Sequence, residues 1–153
     1  MPLKDGKVRT TDERKYVEII IGKELKGSPL EGQEKLYVQF GEEYKVDPLL
    51  AVAIAHHESN YCKAYATWHY QKYHNCAGIM DGGEQNGLFV FVNWEAFIKR
   101  HVQLLASYIY RDGRDTVSKI GSKYAPTSNV LNAGWQNAVT NKYHELWAKV
   151  EAK

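Results

Sequence analysis

No run of 18 apolar residues occurs in the 153-residue sequence, so no segment of it is suited to cross a bilayer as a helix. A basic block is missing as well: the formal net charge is only +2, with acids and bases interspersed, unlike the footprint of a nucleic-acid binder. Neither membrane insertion nor a nucleic-acid partner is expected. Internal repeats and low-complexity tracts are also lacking. The opening stretch, Met1-Pro2-Leu3-Lys4-Asp5-Gly6-Lys7, has none of the apolar core of a secretory signal. Export by another route, or a signal carried on a separate segment, is therefore expected, as for a phage protein or an excised domain. Cysteine is scarce. Cys62 and Cys76 either form one disulfide or stay as free buried thiols, and a pair of cysteines does not choose between these.

The chain does have the length to bury about two-thirds of its unfolded surface, which makes one self-sufficient core the expectation. Tyrosine is abundant at 11 and joins 4 tryptophans. Such rings fill cores, and they also stack on sugar faces. Residues 1–10 are polar and read as a loose N-terminus, and 11–153 read as one domain.

Helix signals recur along that domain. Thr10-Thr11-Asp12-Glu13 has a capping-box pattern and opens a helix carrying Tyr16, Val17, Ile20 and Ile21 to near Gly27. Ser28-Pro29-Leu30-Glu31 predicts a second start, with Leu36, Tyr37, Phe40 and Tyr44 facing inward. Asp47-Pro48 predicts a third, and Leu49 to Ala55 is apolar on every side, as in a helix surrounded by protein. Asn93 caps a long amphipathic helix through Ile98, Val102, Leu105 and Ile109 to Gly113. A shorter helix follows from Thr116, and a last one from about Gly134. Between Asn60 and Asn93 the helical period is lost and glycines gather at 78, 82, 83 and 87. Strand propensity is high over Leu88-Phe89-Val90-Phe91-Val92, so a short hairpin pairing Ala77–Met80 with 88–92 is predicted. The fold class is mainly α with that one hairpin.

Chemistry concentrates at His56-His57-Glu58-Ser59-Asn60-Tyr61, where the all-apolar helix ends on a carboxylate. An acid at the edge of a core is rare without a partner or a task. Glu58 lies one turn after Ile54, so it shares a face with core residues as the helix finishes. Desolvation and the negative end of the helix dipole both favour the protonated carboxyl, the state a general acid needs. Glycoside cleavage requires such an acid, together with a second carboxylate or an acetamido group of the substrate. The glycine-rich segment supplies Asp81 and Glu84. Glu84 is the preferred partner, because Asp81 beside two glycines also serves as a turn residue.

His56, His57, Cys62, His69, His74 and Cys76 lie close together in the chain, and both residue types are good zinc ligands. His57-Glu58 starts like H-E-x-x-H, but the closing position is Tyr61, so that zinc site is not available. No metal and no cofactor are expected.

The segment Val46-Asp47-Pro48 through Glu58-Ser59-Asn60-Tyr61 resembles the catalytic helix of lysozyme-like cell-wall hydrolases, with their "VDP…A…ES" pattern. Asn75-Cys76-Ala77-Gly78-Ile79-Met80 is similar to the "NLFGI" segment of family 73 N-acetylglucosaminidases, and Lys123-Tyr124-Ala125-Pro126 to their "KYA(T)DP". The likeness spans roughly residues 33 to 150 and keeps the motif order. Where the family usually has Gly-Trp-Gly after its Glu-Ser, this chain has Asn60-Tyr61-Cys62, and Cys76-Ala77 stands for "LF". The resemblance implies a lysozyme-like helical domain that hydrolyses the β-1,4 glycan strands of peptidoglycan as an endo-β-N-acetylglucosaminidase. It implies Glu58 as acid, a hairpin carboxylate assisting, and Tyr124, Asn75, Gly78, Ser59 and Asp81 contacting the sugar. A monomer working at the cell wall or outside the cell fits that implication. Muramidases and lytic transglycosylases share the helix. The transglycosylases usually add "G(L)MQ", whereas Met80 is followed here by Asp81. A non-catalytic module of a phage tail or secretion machine is the alternative from another class.

Overall fold

The computed structural model describes residues 11–64, 68–80, 87–124 and 134–152. The expected loose N-terminus (1–10), Asp81, Glu84 and Pro126 lie outside these.

Every residue from Leu49 to Ala55 is fully buried, which is the one environment that suits a helix apolar on all sides. This run belongs to α3 (Pro48–Ser59), and α1 (Thr11–Leu25), α2 (Glu34–Tyr44), α5 (Trp94–Ala106) and α7 (Trp135–Glu151) pack around it. Between α3 and α5 comes α4 (Trp68–Lys72). After α5 the chain continues as a π-helical turn, Ser107–Arg111, and then α6 (Val117–Tyr124). The fold is mainly α.

Two predicted caps hold. Asp47 accepts from the Leu49 N–H at 3.0 Å, with Pro48 in the first turn where its missing N–H costs nothing. Asn93 accepts from Ala96 N–H at 2.8 Å at the start of α5. The second oxygen of Asp47 also accepts from Tyr143 Oη at 2.7 Å and Trp147 Nε1 at 2.9 Å, so this cap fastens α7 to the start of α3.

The start expected at Ser28-Pro29 is corrected to Glu34. Ser28 Oγ accepts from Leu30 N–H and donates to Leu25 O, and Glu31 reaches back to the Gly27 N–H, so the bonds of a capping box are spent on a turn. Gly32 then takes a left-handed conformation, φ +89, which stops the helix before α2 can begin. Buried Leu30 pins the turn to the core.

The predicted hairpin shrinks, among the described residues, to a single antiparallel bridge between Met80 and Leu88. Phe89 N–H still donates to Ile79 O at 2.9 Å, but Phe91 N–H turns to Tyr73 O at 2.9 Å instead of continuing the ladder. The Asn75 amide takes Ile79 O and Phe89 O, carbonyls a longer ladder would use. Helix α4, absent from the sequence reading, supplies Tyr73 just past its end.

Candidate active site

Glu58 occupies the last turn of α3, half-buried, where the apolar helix meets the 75–80 segment. Its Oε1 accepts from the indole Nε1–H of Trp135 at 2.9 Å. Trp135 is the first residue of α7 and is buried beside α6. A side chain at Gly121 would put Cβ 2.9 Å from Trp135 Cε3, so this glycine of α6 makes the seat for the indole. Burial raises the Glu58 carboxyl above its usual range, and the Trp135 hydrogen bond opposes this only in part. A carboxyl held this way keeps a proton to give at higher pH than an exposed glutamate does.

The facing wall is the backbone at Gly78, whose φ of +67 suits glycine. The point where a Gly78 Cβ would sit is 3.4 Å from both Glu58 Oε2 and Tyr70 Oη. The missing side chain thus leaves a gap between the carboxylate and a phenol. Tyr70 comes from α4, and burial followed by the nearby Glu58 charge raises its hydroxyl above the usual phenol range. Behind this layer, Tyr124 at the end of α6 donates to Ala77 O at 2.6 Å and stacks on Trp135, centroids 5.6 Å apart. Burial and then Glu58 push its phenol well up, so both tyrosines stay neutral hydrogen-bond donors.

The sequence-predicted residues separate into a lining and a support. Glu58, Gly78 and Tyr124 gather at one place. Asn75 and Ser59 are buried, with their side-chain hydrogen bonds made to the surrounding loop backbone. Asn75 is fully buried, donating to Ile79 O (2.8 Å) and Phe89 O (2.9 Å) and accepting from Ile79 N–H (3.0 Å). Ser59, 1% exposed, donates to Cys76 O at 2.6 Å and accepts from Cys62 N–H at 2.9 Å. Asp81 and Glu84 lie outside the described residues. Trp135 and Tyr70 escaped the sequence reading. Gly134-Trp135 was visible only as a helix start, and Tyr70 only as one tyrosine among many.

Cys62 and Cys76 form a disulfide, Cα–Cα 5.1 Å, closing the choice that composition left open. It ties the end of α3 to the segment bearing Gly78. Between Ser59 and this bridge Asn60, Tyr61 and Cys62 are all left-handed, φ 48, 59 and 68, an expensive stretch for side-chain-bearing residues. The disulfide, the Ser59 hydroxyl and a Tyr61 Oη bond to Glu24 at 2.7 Å hold it in place. Histidines of this region make local contacts: His56 packs on Tyr61, and His74 Nδ1 meets Phe91 O at 3.1 Å. Among the described residues no three His, Cys, Asp or Glu side chains gather as a metal site. Among them, too, no helix is long and apolar enough to cross a membrane.

Compared with protein families and with curated proteins, the chain matches none at a significant level.

Proposed function

We propose that this chain is a lysozyme-like hydrolase of the β-1,4 glycan strands of bacterial cell wall, with Glu58 as general acid, cutting as an endo-β-N-acetylglucosaminidase. The observation that carries the reading is Glu58 itself: a half-buried carboxyl with a raised pKa, one oxygen held by Trp135 and the other facing a gap beside Gly78. In the proposed reaction the free face of the carboxyl protonates the glycosidic oxygen as the C–O bond breaks, and the departing sugar leaves as an alcohol. Positive charge then builds at the anomeric carbon. Glu84, with Asp81 as the alternative, or the acetamido oxygen of the substrate meets that charge, and water then adds its hydroxyl to the anomeric carbon and returns its proton to the Glu58 carboxylate. Neutral Tyr70, beside the same gap, is placed to donate to a sugar oxygen. The lysozyme-like fold with its short hairpin belongs to this proposal, supported by the Met80–Leu88 bridge, and the enzyme would act as a monomer at the cell wall, without a cofactor.

The test compares wild type with Glu58→Gln in turbidity loss of purified cell walls. Glutamine keeps the shape and an acceptor for Trp135 but has no proton to give. Equal clearing by both would sink the mechanism. Mass spectrometry of the fragments identifies the bond: reducing N-acetylglucosamine ends are expected, while reducing muramic or anhydromuramic ends would move the chain to the muramidases or transglycosylases.

A further inference from the structure

His101 is a fully buried histidine that the proposed reaction does not use. It sits in the middle of α5, its ring stacked on Phe97 with centroids 5.8 Å apart. Its Nε2 lies 3.2 Å from Tyr124 Oη, and its Nδ1 has no hydrogen-bond partner among the described residues.

The proton positions follow from the acceptors. Tyr124 has one hydroxyl proton, and it goes to Ala77 O, because a carbonyl oxygen only accepts. Tyr124 Oη therefore faces His101 with lone pairs, and the bond at 3.2 Å requires the hydrogen to be on Nε2. A neutral ring carries one N–H, so Nδ1 keeps only a lone pair, which agrees with its lack of a donor or acceptor. Burial drives the imidazole pKa down to about 3, so the ring stays neutral across the pH range in which a carboxyl acid works.

We infer that His101 is a positioning residue of this site: its Nε2–H fixes the Tyr124 phenol, and Tyr124 then sets both walls around Glu58. One wall is the Ala77-Gly78 backbone, gripped through Ala77 O, with Gly78 facing Glu58 Oε2. The other is Trp135, stacked on the Tyr124 ring and bonded to Glu58 Oε1. A phenol with its proton and its lone pair both engaged cannot rotate to another partner. Among the described residues, the titratable groups facing Glu58 or Trp135 in this arrangement are Tyr70, Tyr124 and His57, the last edge-on to the Trp135 ring at 6.3 Å. Among the described residues, then, burial and the Trp135 hydrogen bond are what shift the Glu58 carboxyl.

The kinetic arm of the test rests on the proposed role of Glu58, but a spectroscopic arm stands without it. In the full chain, the Glu58 carboxyl is titrated by carbon-13 NMR and the Trp135 indole N–H is followed by nitrogen-15 NMR, in wild type, His101→Gln and His101→Asn. Gln carries its amide N–H to the level of Nε2, while Asn ends at the level of Nδ1, short of Tyr124. We expect His101→Gln to keep the indole resonance, the Glu58 midpoint and, within about twofold, wall clearing. His101→Asn is expected to move the indole resonance, shift the Glu58 midpoint toward that of an exposed glutamate, and cut clearing about tenfold or more. Tyr124→Phe keeps the stacked ring without the hydroxyl. It should reproduce the His101→Asn shifts, and it provides the same readout if His101→Asn does not fold. Wild-type resonances in both His101→Asn and Tyr124→Phe, or equal damage from Gln and Asn, would overturn the inference. No wall clearing by wild type would defeat the proposed function and leave the NMR comparison to decide the role of His101.

Discussion

The indole N–H of Trp135 donates to Glu58 Oε1 across 2.9 Å, joining the first residue of α7 to the last turn of α3 over 77 positions of sequence. This bond holds one oxygen of the carboxyl and partly offsets the burial that raises its pKa. Removing the donor alone, in Trp135→Phe, keeps most of the apolar wall and deletes the opposing effect. The Glu58 midpoint should then rise further, and the basic limb of the wall-clearing pH profile should move to higher pH. A lost hydrogen bond to an ionisable group should also cost about 1–3 kcal/mol of stability, read by denaturant unfolding. An unchanged basic limb would mean that Glu58 is not the group being titrated.

Glu58→Gln should abolish clearing while leaving the protein at least as stable. The sign follows from the raised pKa. A carboxyl whose folded pKa lies above its unfolded value contributes stability that is complete below the unfolded pKa and is lost as pH rises through the folded one. Above the folded pKa the wild type therefore bears a buried charge that glutamine lacks. The melting temperature of Glu58→Gln should exceed that of wild type at such pH, and the gap should close on acidification below about pH 4. A gap that widens in acid would contradict the assigned shift.

Cys62→Ala/Cys76→Ala should lose about 3 kcal/mol, the loop-closure contribution of a bridge between residues 14 apart, measured as a lower denaturation midpoint. The loss in activity should exceed the loss of folded protein. The bridge also restrains the left-handed Asn60-Tyr61-Cys62 turn directly after Glu58 and Ser59, which becomes free to relax. Addition of a reductant that reaches the buried bridge should have the same two effects on wild type, and no effect on the double variant.

Gly78→Ala tests the gap. A left-handed alanine costs about 1–2 kcal/mol, and its methyl would lie against both Glu58 Oε2 and Tyr70 Oη. Stability should fall by about that amount, while wall clearing should fall by more than the loss of folded protein explains. Clearing that merely tracks the folded fraction would show that the gap takes no part in the chemistry.

How far the sequence could be read depended on the range of the interaction. Asp47-Pro48 and Asn93 announced helix starts correctly because an N-cap bonds to an amide two or three residues away. Ser28-Pro29 failed under the same rule. Its side-chain bonds form as a cap requires, yet a left-handed Gly32 four residues later ends the turn, and the pattern does not encode that conformation. The strand-like 88–92 segment misled for a related reason: propensity favoured extension, but Asn75 and Tyr73 supplied partners outside a ladder.

The sequence by itself determined the all-apolar helix, its burial on every side and the place of Glu58 at its end, because these follow from the period and capping of a continuous segment. Tertiary structure alone decided that Trp135, Tyr70 and Tyr124 meet around that carboxyl, that His101 stands behind Tyr124, and that the two cysteines are joined. It also turned Asn75 and Ser59 inward as fasteners of the 75–80 segment. The disulfide spans 14 positions, the Ser59–Cys76 bond 17 and the Glu58–Trp135 bond 77, and a side chain's identity does not carry the address of its partner. Packing of α7 against α3, and of α6 against α7, provides that address.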